Sequence, residues 1–321
     1  MMNNVFNLLK RELVGVKKKV LLKDYTTFKI GGPAEYFLIV KEKETLIKAI
    51  NVAKKLHVPV FVLGGGSNLL VSDNGFRGLV IKVQFAKWFL ETKHIIVSDS
   101  GVEMKDLVMF SVNTSLGGLE WAGGLPGSLG GAIRGNAGAF GGEMKDSILE
   151  VEALDHHLSL RTLSNKQCQF SYRSSIFKEK NWVILSAKIK FTKGVKKDLE
   201  NTANSHIEYR KEKHPLEYPN AGSVFKNVDV KKVSPKVQKL FLDKVKKDPF
   251  PIIPSAWFII GAGLVGKKVG HAQISEKHSN YIVNIGGATA KDVLTLISFV
   301  KKKIKKMYDV DLETEVQVIG F

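Results

Sequence analysis

Val62-Leu63-Gly64-Gly65-Gly66-Ser67-Asn68-Leu69-Leu70 and, about sixty residues on, Gly123-Gly124-Leu125-Pro126-Gly127-Ser128-Leu129-Gly130-Gly131-Ala132 are two glycine-rich stretches. The second continues to Asn136-Ala137-Gly138-Ala139-Phe140-Gly141. Glycine adopts either sign of φ, and without a side chain it lets a ligand approach the backbone closely. Successive N–H groups turned inward then form an anion-binding concavity, as phosphate loops do. Two such loops in one chain imply a long, phosphate-bearing ligand held from two sides.

The flanking segments give the loops a scaffold. Tyr36–Val40 reads as a strand, Glu44–Leu56 has helical spacing, and Val58–Leu63 is a strand that delivers the first loop. Strand, helix, strand and phosphate-type loop make a credible α+β unit. Further strands are expected at Leu79–Val83, His94–Ser98, Glu150–Leu154 and Val183–Lys190, with a helix from Met104 to Leu116. A boundary is expected near Phe191–Gly194, followed by a charged helix from Val195 to about Lys211. Leu312–Ile319 alternates as a strand does.

Composition narrows the class. The 321 residues are 44% hydrophobic and 25% charged, which is globular, and the length suggests two domains. The single cysteine, Cys168, excludes an internal disulfide and has no nucleophile signature around it; a bland, partly buried thiol is expected. Lys10, Arg11 and Glu12 interrupt the opening segment, and no stretch approaches the ~20 apolar residues that span a bilayer. A cytoplasmic protein without a membrane partner is expected. Net charge is +18, which raises nucleic acid as a partner. The lysines, however, fall at helical spacing. Lys301–Lys306 reads as the polar face and C-terminal end of a helix, and Lys231–Lys247 surrounds Val237, Leu240, Phe241 and Val245. Solvated helix faces are the better reading, and no nucleic-acid partner is expected.

Two decoys fall away. Gly261-Ala262-Gly263-Leu264-Val265-Gly266 fits a dinucleotide fingerprint, but Lys267-Lys268-Val269-Gly270 is poor helix material and no acid stands about 20 positions on. A tight turn is expected there. His271 and His278 have no companion ligand at zinc-like spacing, so no metal is expected.

A series of ordered blocks goes further. Thr26–Ala34, Val62–Leu70, Gly118–Gly124, Pro126–Gly142, Phe170-Ser171-Tyr172-Arg173, Asn220–Asn227, Ser275-Glu276-Lys277-His278 and Leu312–Val316 together resemble UDP-N-acetylenolpyruvoylglucosamine reductase, the MurB flavoenzymes of peptidoglycan synthesis. The resemblance runs from about residue 20 to the end, and is to the shorter subtype, because nothing between Lys188 and Tyr218 supplies the longer subtype's tyrosine loop.

The resemblance implies an α+β protein: an FAD-binding fold of the vanillyl-alcohol-oxidase (PCMH) type, then a smaller α+β substrate-binding domain. The expected division is 1–194, itself two subdomains split near 75–90, and 195–321. The second part would carry a basic insertion at about 229–254, read as a helix and a proline-stiffened loop, and a final strand returning to the active site. Gly64, Gly65, Gly66, Ser67, Asn68, Gly124, Pro126, Gly127, Ser128, Gly131, Asn136 and Gly138 would hold FAD. The implied reaction, run by a monomer, uses NADPH to reduce the enolpyruvyl ether through the flavin, with hydride going to C3 and a proton to C2.

Three positions match the catalytic needs. Arg173 would stabilise the enolate, Ser223 would protonate C2, and Glu315 would stand beside the arginine. Glu313 lies two residues from Glu315 on the same strand face, so pattern alone does not choose between them. Lys213, Lys226 and Asn227 are expected contacts to the substrate's diphosphate or sugar. Departures from the family pattern are Ser174 in place of aspartate, and Val228 and Thr314 in place of prolines. The competing readings are a sugar or alcohol oxidase of the same fold, and a basic nucleic-acid-binding protein supported by charge alone.

Overall fold

The structure, a computed structural model, describes residues 2–247 and 249–321. The chain forms two compact units. The first gathers the chain up to Val20 with Ala34–Gly65 and Arg77–Tyr209; the second gathers Leu21–Pro33, Gly66–Phe76 and Arg210–Phe321.

Two sheets build the first unit. One has the order Lys17–Leu21, Pro33–Val40, Phe76–Val83, Val60–Leu63. Its last two strands run parallel, with Leu63 opposite Lys82. The helix Lys43–Lys55 buries Leu46, Ala49, Ile50 and Ala53, the three-and-four spacing that read as helical in sequence. These side chains share a core with Leu38, Val40, Leu79 and Ile81. Each fully buried aliphatic side chain contributes about 1.5–3 kcal/mol. The parallel pair thereby fixes the exit of Leu63, and with it the start of the first glycine loop.

The other sheet has the order Leu160–Ser164, Ile148–Leu154, Val183–Lys190, Ile95–Asp99, Trp88–Thr92, antiparallel throughout. Its core includes Ile96, Leu107, Leu129, Ile133, Val151 and Ile189. Helix Met104–Asn113 ends three residues before the expected Leu116. Ser115 takes φ +60, and Leu116–Gly117 pairs with Thr192–Lys193 instead. Cys168 is fully buried, and burial pushes its thiol up to about 12, so the bland reading of this cysteine holds.

Asp155 ties the turn between two strands of this sheet. Its carboxylate accepts from His157 N at 2.8 Å, Ser159 N at 2.9 Å and Arg161 Nε at 2.9 Å. Burial raises its pKa, but those bonds and the Arg161 charge outweigh it and hold the group at about 2. A depressed carboxylate adds stability that is complete above its unfolded value of about 4 and is lost as pH falls. Acid titration is therefore expected to loosen the 155–161 turn between about pH 4 and 2, and Asp155→Asn to abolish that step. Amide exchange at His157 and Ser159 is the measurement, and an unchanged acid profile in Asp155→Asn would refute the assignment.

The second unit has an antiparallel sheet in the order Asn220–Ser223, Tyr281–Asn284, Ala272–Ile274, Lys268–Val269. Helix Ala290–Tyr308 buries Val293, Leu296, Ile297, Val300 and Ile304 and ends in the lysine run, as the spacing suggested. Thr289 and Asp292 form its capping box, and Asp73 accepts from Ala290 N and Lys291 N. The apolar run before Gly261 lies in helix Ser255–Gly261, not in a strand. A chain turn follows it before Lys268–Val269, so the dinucleotide fingerprint has no structural basis.

Two expectations need correction here. The basic stretch 229–254, expected to hold a helix and a proline-stiffened loop, has a helix shorter than the lysine spacing suggested; residue 248 within it lies outside the described residues. It holds a six-residue helix, Pro235–Leu240, between tight turns at Val230–Lys232 and Leu242–Lys244. Val233, Val237 and Phe241 are buried at four-residue spacing while Leu240 is exposed, so only one turn's worth of apolar side chains could anchor a helix. The final strand is also shorter than its alternation implied. Gln317–Ile319 runs parallel to Leu69–Val71, and Thr314 makes only an isolated bridge to Phe225.

Candidate active site

Within the first unit the two glycine stretches touch. A Cβ on Gly65 would lie 2.5 Å from Gly127 Cα, and one on Gly64 would meet the Ser128 hydroxyl. Gly127 itself has φ +100, outside ordinary side-chain territory. The contact is backbone against backbone, an approach so close that only glycine permits it. The first amides of helix Leu129–Arg134 are not part of it: Leu129 N donates to Val102 O and Gly130 N to Ser100 O.

Sequence reasoning missed Lys82, which donates from Nζ to Gly64 O at 2.5 Å. Burial lowers its pKa, and Glu103 pulls the other way. The available signal was a lysine inside the apolar strand Leu79-Val80-Ile81-Lys82-Val83.

Gly65→Ala is expected to weaken FAD binding roughly ten- to hundred-fold, the effect of about 1–3 kcal/mol of overpacking. Gly64→Ala meets only a movable hydroxyl and should cost less. Flavin content after purification and titration with FAD measure both; equal affinity for Gly65→Ala and wild type would contradict the backbone contact.

Arg173 sits in the same unit at φ +56, on the third position of a four-residue turn closed by Ser171 N to Ser174 O at 3.0 Å and Ser174 N to Ser171 O at 3.1 Å. A non-glycine residue in that conformation is strained, and such strain gathers at functional sites. Its Nη2 donates to Gly138 O at 2.8 Å, and Lys178 Nζ donates to its carbonyl at 2.9 Å. Ser174, the departure from aspartate, turns away and bonds Glu179. Asn136 is fully buried, and its side chain donates to Glu143 Oε2 and Ser171 O and accepts from Lys145 N. It thus fastens the second glycine loop to the arginine turn.

Ser223 and Glu315 come together in the second unit. The register slips between Asn220 and Ser223, and Gly222 takes φ +77 in open space. That irregularity sets Ser223 opposite Tyr281. Opposed residues of a ladder share a face of the sheet, and Tyr281 Oη lies 3.1 Å from His214 Nδ1. Glu315 N donates to Val224 O at 2.8 Å, and Asn68 Nδ2 donates to Glu315 O at 3.3 Å. Asn68, expected on the cofactor loop, therefore pins the segment carrying this glutamate.

The two glutamates part company. Glu313 is ion-paired with Lys226 at 3.1 Å and Lys232 at 3.3 Å, whereas the Glu315 charge acts on Tyr281. Of the expected substrate contacts, Lys226 faces Glu313, Asn227 accepts from Ser255 N, and exposed Lys213 pairs with Glu212.

Electrostatics around Ser223 are unusual. Burial, then Glu315, pushes Tyr281 up to about 12 against the opposing Arg210 charge. Burial, then the positive neighbours His278, Arg210 and Lys277, lowers His214 to about 4. At neutral pH, then, a neutral phenol and a neutral imidazole stand behind the serine. Neither was singled out from sequence, because Tyr281 reads as one more apolar position in Tyr281-Ile282-Val283.

A close contact of two glycine loops on an α+β scaffold, matched over residues 34–162 by the family described as FAD binding domain, defines a flavoprotein oxidoreductase. Residues 214–319 match the family described as UDP-N-acetylenolpyruvoylglucosamine reductase, C-terminal domain. The chain belongs to the UDP-N-acetylenolpyruvoylglucosamine reductase family. It is 38% identical to the enzyme of that name from Caldanaerobacter subterraneus subsp. tengcongensis over 93% of this chain and 92% of that one. It is 37% identical to that from Lactobacillus helveticus over 97% of each chain. The crystal structure of the Thermus caldophilus enzyme (MurB) superposes with a TM-score of 0.73 at 30% identity, over 95% of this chain and 99% of that one. Among the described residues no helix is long and apolar enough to cross a membrane.

Proposed function

We propose that this chain reduces UDP-N-acetylglucosamine enolpyruvate to UDP-N-acetylmuramate, using FAD and NADPH, in cytoplasmic peptidoglycan precursor synthesis. The observation that carries the reading is the backbone contact between the two glycine loops in the unit that also carries the strained Arg173 turn. When bound, FAD supplies the hydride for C3 of the enolpyruvyl group, having drawn it from NADPH.

Gly64, Gly65, Gly124, Pro126, Gly127, Ser128, Gly131 and Gly138 would hold the cofactor in the first unit, while Asn136 acts by holding the second glycine loop to the arginine turn. Arg173 presents a permanent, planar cation to the enolate and its carboxylate. Ser223 holds a proton at Oγ and gives it to C2. Glu315 sets the charge near that hydroxyl. Lys213, Lys226 and Asn227 face the diphosphate and sugar, with Lys226 exchanging Glu313 for the substrate's anion. The enzyme works as a monomer, and its positive surface favours a multiply phosphorylated substrate rather than nucleic acid.

Anaerobic titration tests the assignment. NADPH is expected to bleach the flavin and the UDP-linked enol ether to restore it stoichiometrically. Flavin that the enol ether fails to reoxidise, together with oxygen uptake on a simple sugar, would point to an oxidase instead.

A further inference from the structure

Ser223 is a weak acid, and the reaction needs its hydrogen to point at C2 rather than into the protein. Behind it lies a row of polar side chains within one unit. Ser223 stands opposite Tyr281 in the ladder, which puts the two side chains on one face of the sheet, and Tyr281 Oη is 3.1 Å from His214 Nδ1. The His214 ring packs 5.1 Å from the Tyr281 ring, and His278 stands edge-on to His214 at 5.4 Å. Tyr281 is 7% exposed, so its hydroxyl must find partners inside the fold.

Hydrogen bonds along such a row run in one of two directions. With the His214 proton on Nε2, Tyr281 donates to Nδ1 and Ser223 donates to Tyr281, which turns the serine hydrogen away from any substrate. With the proton on Nδ1, His214 donates to Tyr281 and Tyr281 donates to Ser223 Oγ. The serine hydrogen is then the one left over. We infer that Tyr281, oriented by His214, is a positioning residue that donates to Ser223 Oγ and so directs the serine proton to C2.

When that proton leaves, the bond from Oγ to hydrogen breaks and one from C2 to hydrogen forms. The alkoxide left on Ser223 keeps the Tyr281 hydrogen bond until water returns a proton to Oγ, so one solvent proton is consumed per turnover. The groups facing the pair fit this part. Glu315 disfavours loss of the Tyr281 proton, and Arg210, Lys277 and His278 disfavour a charged imidazole. Both members thus stay neutral donors.

The inference rests on Ser223 being the proton donor, and the experiment separates the two claims. It uses the full-length FAD holoenzyme and stopped-flow measurement of each half-reaction. Tyr281→Phe keeps the packing and removes only the hydroxyl. It should leave flavin reduction by NADPH and the KM for the UDP-sugar unchanged, and slow flavin reoxidation roughly ten-fold, about the value of one neutral hydrogen bond. In a Ser223→Ala background the same change should have no further effect. His214→Leu should reproduce the slowing, and His214→Asn, which keeps a donor near the Nδ1 position, should restore most of the rate. Equal slowing by Tyr281→Phe in both backgrounds, or none in either, overturns the positioning role. A Ser223→Ala enzyme that reoxidises at the wild-type rate overturns the serine assignment itself, which is a different result.

Discussion

Ser223→Ala is expected to leave NADPH-driven flavin reduction intact and to slow reoxidation by the UDP-enolpyruvyl substrate by roughly 10²–10⁴-fold, the range for a positioned general acid. The asymmetry follows from what the hydroxyl does. It supplies a proton only after substrate binds, so nothing in the first half-reaction depends on it. Ser223 is half-buried at the edge of its sheet behind an open Gly222, and removing one oxygen disturbs no packing. A cysteine at this position keeps a proton donor of lower pKa, so Ser223→Cys should retain more of the rate than Ser223→Ala. Stopped-flow absorbance of the flavin separates the halves. Equal losses in both would mean that the serine has another job.

Arg173→Ala should reduce the same second half-reaction by roughly 10²–10³-fold, the effect of removing one donor aimed at a developing oxyanion. Arg173→Lys should recover little, because an ammonium offers a point charge in place of a planar fork. The arginine also donates to Gly138 O, so the variant must be shown to keep its flavin. Residue 173 holds φ +56, which glycine adopts freely and alanine does not. Arg173→Gly is therefore the cleaner deletion, since it relieves the backbone strain while removing the charge. Retained flavin with a wild-type reoxidation rate in Arg173→Gly would eliminate the enolate role.

The arginine illustrates how far residue patterns reach. The block Phe170–Arg173 pointed to the position, yet nothing in the string reveals a turn closed by Ser171 and Ser174. Nor does it show that Asn136, buried and bonded on three sides, fastens that turn to the second glycine loop. The bond to Ser171 O joins segments 35 residues apart and leaves no periodic trace. Glu313 and Glu315 were equivalent by alternation. The structure separates them because the chain there is not a regular strand, and because Lys226 and Lys232 stand on one side and Tyr281 on the other. The helix in the basic stretch after Asp229 is shorter than its lysine spacing suggests for a related reason. Lysines at helical spacing satisfy a polar face, but only buried side chains on the other face can hold a helix that short.

Local sequence alone determined the α+β alternation, the positions of both glycine loops, the long C-terminal helix with its lysine end, and the blocks that mark the reductase family. All of these are written in neighbouring residues, through side-chain periodicity or through glycine's freedom. Tertiary structure alone decided that Leu21–Pro33 and Gly66–Phe76 fold with the C-terminal third of the chain, that Gly65 lies against Gly127, and that a tyrosine and a histidine stand behind Ser223. Those are meetings of distant segments, set by which apolar faces bury together and which backbone groups must find partners once water is gone.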